Sequence, residues 1–204
     1  MIKPSATDLD VSRETFERLS KFADLVRKWS PKINLVSRGS MEHLWERHIR
    51  DSIQVIRQAT PAQSWLDLGS GGGFPGLIAA IVAADEQPEQ VVTLVESDQR
   101  KAIFLRTAAR ETGVNCTVLA QRIEQVPPRN ADILSARALA DLRSLLGHAE
   151  RHLSPSGLAL FPKGASWKKE LDEARLQWRF DAEAITSKIE PTAVILKIKG
   201  VQRA

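Results

Sequence analysis

The sequence predicts an α/β fold: a mostly parallel seven-stranded sheet with helices on both faces, preceded by an N-terminal helical extension. Three observations carry that reading. Apolar runs of strand length alternate with helix-length stretches from Trp65 onward. One such run, Trp65 to Leu68, stops at a glycine cluster and reopens as a helix. A second, Val91 to Val95, ends on an acid, Glu96, about twenty residues beyond the glycine loop, the spacing of a nucleotide-binding βαβ unit.

Ser12 precedes Phe16, Leu19, Ala23, Val26 and Trp29 at helical spacing, with Glu14 in the first turn where an acid suits the helix dipole, and Pro31 comes just after. A second helix is expected from a Ser40 cap. It carries Met41, Leu44, Trp45, Ile49, Ile53 and Ile56 on one face and stops before Thr60-Pro61. Residues 1–60 thus form the extension, and residues 61–204 one globular unit.

The unit opens with Ser64-Trp65-Leu66-Asp67-Leu68 running into Gly69, Gly71, Gly72 and Gly73. Pro75 and Gly76 then start a buried helix, Leu77 to Ala84. So many glycines permit backbone conformations closed to other residues and let a ligand approach the main chain; a plain connector needs far fewer. Gly71, Gly73 and Gly76 match G-x-G-x-x-G, yet a dinucleotide site starts its glycines directly after the strand, and from Gly69 the register fails. Asp67 at the neck of the loop would repel a pyrophosphate and suit a cation. S-adenosylmethionine is such a ligand, with an ammonium, a sulfonium and no phosphate. An acid followed by G-x-G-x-G resembles the first motif of class I S-adenosylmethionine-dependent methyltransferases.

The helix Gln99 to Thr112 buries Ala102, Ile103, Leu105 and Ala109 and shows Arg100, Lys101, Arg106 and Arg110. Asn115 to Leu119 reads as a third strand, and Gln121 to Glu124 turns towards a helix ending by Pro127-Pro128. Ala131 to Ser135 is a fourth strand, placing Arg137 at the carboxyl edge where open α/β sheets bind ligands. A helix from Leu142 to Leu153, a fifth strand from Leu158 to Phe161 and a helix from Trp167 to Trp178 follow. Ala184 to Ile189 and Ala193 to Ile198 form a closing hairpin.

The net charge of +4 permits a nucleic-acid partner without requiring one. A single cysteine, Cys116, excludes an intrachain disulfide or multi-cysteine zinc site and suits a reducing compartment. Met1 to Asp8 lacks the apolar core of a signal peptide, and the longest apolar run, Leu77 to Ala84, is too short to cross a bilayer. The expectation is a soluble cytoplasmic protein with no metal and no membrane association; no protein partner is deducible.

Several blocks occur together in one order: Asn34-Leu35-Val36-Ser37, Arg47-His48-Ile49-Arg50-Asp51-Ser52, Asp67 to Gly76, Arg122-Ile123-Glu124, Ser135-Ala136-Arg137-Ala138 and Lys163-Gly164. The set resembles the ribosomal RNA small-subunit methyltransferase G family, also called glucose-inhibited division protein B, from about Phe16 to the final strand. The resemblance implies a Rossmann-like class I methyltransferase fold. It also implies methylation of N7 of one guanine in the decoding-region loop of 16S ribosomal RNA, as free RNA or 30S particle, with S-adenosyl-L-methionine as donor. By motif match the cofactor contacts fall on Gly69, Phe74, Ile123, Glu124 and Arg137.

The residues themselves add Asp67 for the methionyl ammonium, Glu96 for the ribose, and Gly71 and Gly73 as positions a branched side chain would block. Ile123 reads as an adenine wall or a core residue, Glu124 as an adenine-edge contact or a solvated acid. Arg137 is expected to position donor and guanine, against the alternative of an ion pair with Asp141. Lys163 and Arg47 are expected to meet RNA phosphates. Arg47 and Asp51, four apart, could instead pair with each other, and His48 reads as an anchor for the extension or an RNA contact.

Guanine N7 carries no proton, so no general base is expected. A noncatalytic RNA-binding factor, a methyltransferase for another substrate and a nicotinamide dehydrogenase are the competing readings. Asn/Asp-Pro-Pro-Tyr/Phe, the mark of exocyclic adenine methylation, is absent after the fourth strand. Cys116 lies away from that edge, which closes the cytosine carbon-5 route.

Overall fold

A computed structural model describes residues 4–204. The reading of the N-terminus as free of a signal segment rests partly on residues 1–3, which lie outside the described residues.

The extension comprises α1 (Ala6–Leu9), α2 (Arg13–Ile33), α3 (Arg38–Met41), a π-helical turn (Trp45–Arg50) and α4 (Asp51–Ile56). β1 (Ser64–Leu68), α5 (Gly76–Glu86), β2 (Val91–Val95), α6 (Gln99–Thr112) and β3 (Thr117–Leu119) follow as parallel crossovers. β4 (Ala131–Ala136), α7 (Leu142–His152), β5 (Leu153–Lys163), α8 (Trp167–Arg175), β6 (Trp178–Thr186) and β7 (Val194–Arg203) complete the chain. The strand order is β3-β2-β1-β4-β5-β7-β6, with β7 antiparallel to both neighbours. The winding reverses between β1 and β4, the switch point beyond whose carboxyl edge open α/β sheets bind ligands.

α5 is apolar almost all round because it is covered on both sides. Leu77, Ile78 and Ile81 share one core with Leu19, Phe22 and Val26 of α2, Ile49 and Ile53 of the extension, and Phe104 of α6. The extension is therefore a layer of the core, and apolar packing is continuous across residue 60. A second core, on the other sheet face, joins Leu66, Leu134, Leu145, Phe161 and Trp178.

Several expected boundaries move, each for a local reason. α2 runs through Pro31 to Ile33 and ends on Asn34 at φ +50°, since Asn tolerates the left-handed cap. Ser37, not Ser40, caps the next helix, which lasts one turn before the π-helical stretch resets the register. The helix expected before Pro127 is a single 3-10 turn, Ile123–Gln125, because too few residues lie between Gln121 and the prolines. α8 stops at Arg175, and Trp178 instead opens β6, so the closing hairpin is longer than expected.

Candidate active site

On one side of this switch point lies the loop between β1 and α5. Gly69, Gly71 and Gly73 take φ of +65°, +52° and +90°. A side chain would strain each, but their surroundings differ. A Cβ on Gly73 would meet Leu77, Phe22 and Leu105 at 2.9–3.3 Å, so Gly73 serves close packing among α5, α2 and α6. A Cβ on Gly71 would meet only Gly69 O at 3.7 Å and Glu96 Oε2 at 4.0 Å. Gly71 is thus the member of the pair that leaves main chain open on the ligand side.

Glu96 ends β2 facing this loop. Its Oε2 accepts from the Gly71 amide at 2.8 Å and its Oε1 from the Asp98 amide at 2.7 Å. Asp98, not Glu96, caps α6. Asp67 lies deeper than expected. It is 1% exposed, its Oδ1 accepts from the Ser135 hydroxyl at 2.6 Å, and that hydroxyl accepts from the Trp65 indole at 2.8 Å. Oδ2 is buried without a hydrogen-bond partner, and burial raises the carboxyl to about 6. A Cβ on Gly76 would collide with this carboxylate. Asp67 therefore sits beneath the loop, with its carboxylate against Gly76.

Phe74, in the same loop, packs against aromatic rings of the extension. Its ring lies 5.3 Å from that of Phe22 and 5.0 Å from that of His48, with the Arg137 guanidinium 5.2 Å from its centroid. It joins loop to extension. Ile123 is buried in the second core, and Glu124 is exposed.

The other side centres on Arg137, at the end of β4. Its guanidinium pairs with Asp51 at 3.3 Å, donates to the Arg47 carbonyl at 3.3 Å and meets His48 Nδ1 at 2.8 Å. The expected alternative partner Asp141 instead caps α7, and the expected Arg47–Asp51 pair does not form, because Asp51 is taken by Arg137. Burial and the neighbouring Arg137 and Arg47 hold His48 neutral, down to about 3, so its Nδ1 acts as an acceptor. His48 thereby ties the extension to Arg137 and to the Phe74 ring.

Lys163 is not a free rim cation. Only 8% of its side chain is exposed, and its Nζ donates to the Ala140 carbonyl and to Glu170, each at 2.8 Å. Arg47 is exposed on the rim. Asp51 and Glu170 were missed as partners. Asp51 stood within the Arg47 to Ser52 block, whereas Glu170 shows no local signal.

Between Arg137, Lys163 and the β6–β7 turn lies a cleft of about 420 Å³. It reaches the glycine loop through Arg137, which lines it and whose guanidinium lies 5.2 Å from the centroid of the Phe74 ring. Among the described residues, no group of three or more His, Cys, Asp or Glu could hold a metal ion, and no helix is long and apolar enough to cross a membrane.

This geometry suits S-adenosylmethionine: glycine main chain opposite Glu96, and a buried carboxylate with an orphaned oxygen beneath. Comparison with known proteins agrees. The chain is 64% identical over 203 residues to the ribosomal RNA small subunit methyltransferase G of Ruegeria pomeroyi, covering 100% of both chains. It is 52% identical over 197 residues to that of a Cereibacter sphaeroides strain, covering 96% of this chain and 95% of the relative. In structure it is similar to a SAM dependent methyltransferase from Aquifex aeolicus, with a TM-score of 0.61 at 14% identity, covering 82% of this chain and 96% of that one. GidB, rRNA small subunit methyltransferase G, matches residues 15–196, and the chain belongs to that family.

Proposed function

We propose that this chain transfers the methyl group of S-adenosylmethionine to N7 of one guanine in 16S ribosomal RNA, the position numbered 527 in the family. The observation that carries this reading is the pairing of the Gly71–Glu96 donor wall with an adjoining cleft headed by Arg137, at the edge where the sheet reverses. A ribosomal substrate is found in the cytoplasm.

The bound donor would supply an activated methyl on a sulfonium. Glu96, which accepts from two amides, would also accept from ribose hydroxyls, and Asp67 would supply negative charge from beneath the loop. Arg137 is fixed by three partners and stacked on Phe74, so it orients groups rather than moving protons. Transfer forms the N7–methyl bond as the methyl–sulfur bond breaks, with its electrons going to sulfur. No proton leaves N7, so no side chain acts as base; alignment alone is worth roughly 7 to 11 kcal/mol.

Incubation with labelled S-adenosylmethionine and small subunits lacking the modification tests the reading. The expected product is one 7-methylguanine, mapped by cleavage at the modified base. Label on another base, or on none, overturns it.

A further inference from the structure

N7 chemistry does not choose between purines, because adenine also offers an unprotonated N7. If the function proposed above holds, the choice of guanine falls to a wall that reads the ring edge away from N7. The cleft beside Arg137, about 420 Å³, is of a size that takes small ligands and could admit a base turned out of its stack. Among the described residues its walls offer four acceptor side chains: Asp51, Glu170, Ser187 and Glu190.

Three are already engaged. Asp51 holds Arg137 and accepts from the Gln54 amide at 2.7 Å. Glu170 accepts from Lys163, the Leu142 amide and Ser166 at 2.8–3.1 Å. The Ser187 hydroxyl accepts from Gln54 at 2.9 Å and from the amides of Ile189 and Glu190 at 3.1 and 3.2 Å.

Glu190 differs. Its side chain is exposed and, among the described residues, forms no ion pair and is engaged only by the Thr192 hydroxyl on Oε1 at 3.0 Å, which leaves Oε2 open. Its backbone is fixed by the turn, through its amide to Ser187 and its carbonyl from the Ala193 amide at 2.9 Å. An acid here, on a face that docks a polyanion, repels phosphate unless it serves another purpose.

We infer that Glu190 is the residue that selects guanine, its carboxylate accepting from N1–H and the 2-amino group while N7 faces the Arg137 side. Guanine presents two adjacent donors that match a carboxylate. Adenine presents a lone pair at N1 and no 2-amino group, so it is repelled and unbonded at once. A site built around such donors rejects analogues lacking them.

The test uses small subunits reassembled with 16S RNA carrying guanine, inosine or adenine at the target position. Inosine keeps N7 and N1–H and lacks the 2-amino group. For the unaltered protein, kcat/KM is expected to fall about 10- to 100-fold from guanine to inosine, with no transfer to adenine. In Glu190→Gln and Glu190→Ala the guanine value should fall much more than the inosine value, bringing the two within about threefold. S-adenosylmethionine affinity and thermal midpoint should not move. Unaltered protein that treats guanine and inosine alike, or variants that keep the original ratio, overturns the assignment of Glu190 and leaves the proposed function standing. Absence of 7-methylguanine with the guanine substrate overturns the proposed function, and the assignment of Glu190 with it.

Discussion

The two walls of the crevice are made of different material. The donor wall is main chain: three glycines at positive φ and an acid at the end of the neighbouring strand, all within residues 69–96. The acceptor wall is side chains, with Arg137 held by Asp51 and His48, Lys163 held by Glu170, and Ser187 held by Gln54. Main chain holds its shape once the fold is set. Side-chain pairs from distant segments hold only as long as every partner is present.

Removing Arg137 is the largest expected break in this contrast. Arg137→Ala should lower single-turnover methyl transfer about 100-fold or more, and Arg137→Lys should recover little, because a point charge cannot meet Asp51, His48 and a carbonyl together. Donor affinity, read by calorimetry, should fall far less than transfer. Equal losses would move Arg137 to the donor wall.

Within the donor wall, Gly71 and Gly73 should separate. Gly73→Val strains φ and collides with Phe22 and Leu105, lowering stability by about 3 kcal/mol in urea melts. Gly71→Val meets more room and should lose about 1–2 kcal/mol while losing donor affinity. The opposite ordering of stabilities would mean that Gly71 is the packed position.

On the acceptor wall, a double-mutant cycle of Lys163→Met and Glu170→Gln should show a coupling of about 1–2 kcal/mol. RNA binding by Lys163→Met should keep nearly the parental salt slope. A slope reduced by about one unit would make Lys163 a phosphate contact after all.

The smallest effects are in acid, with opposite sign on the two walls. Asp67 is raised to about 6 when folded, so the folded state takes the proton first and gains stability on this account as pH falls from 6 towards 3.8. His48 is pushed down to about 3, so the unfolded state takes the proton first and stability falls as pH drops from 6.5 towards 3. Asp67→Asn should therefore steepen the acid loss of thermal stability between pH 7 and 5, and His48→Asn should flatten it, each by about 1 kcal/mol. Parallel curves for all three proteins would remove both residues from the account.

The same contrast explains how much could be read from the residues alone. The glycine loop, Glu96 and the alternation of strands and helices were legible because each is a local pattern. The seven strands were expected, and the displaced ends fall where capping by Ser37 or the start of a strand at Trp178 overrides periodicity. The acceptor wall was legible only as block membership. Arg137 was expected at the edge, but its pairing with Asp51, 86 residues away, has no periodic trace, and neither has the capture of Lys163 by Glu170. Asp67 was read from charge, while its depth depends on Trp65, Ser135 and Gly76 together.

The Gln54 side chain reaches across 133 residues to donate to Ser187, and its oxygen accepts from the Lys188 amide. In time, during synthesis, this means that the crevice is completed in two stages. The donor half has all its strands once Ala136, the end of β4, has emerged. The turn at residues 187–193 that closes the other half is made later, and it docks against the much earlier α4. A chain halted before Ala193 lacks β7 and the amide that holds the Glu190 carbonyl, so the turn that bounds the cleft stays open until β7 has been made.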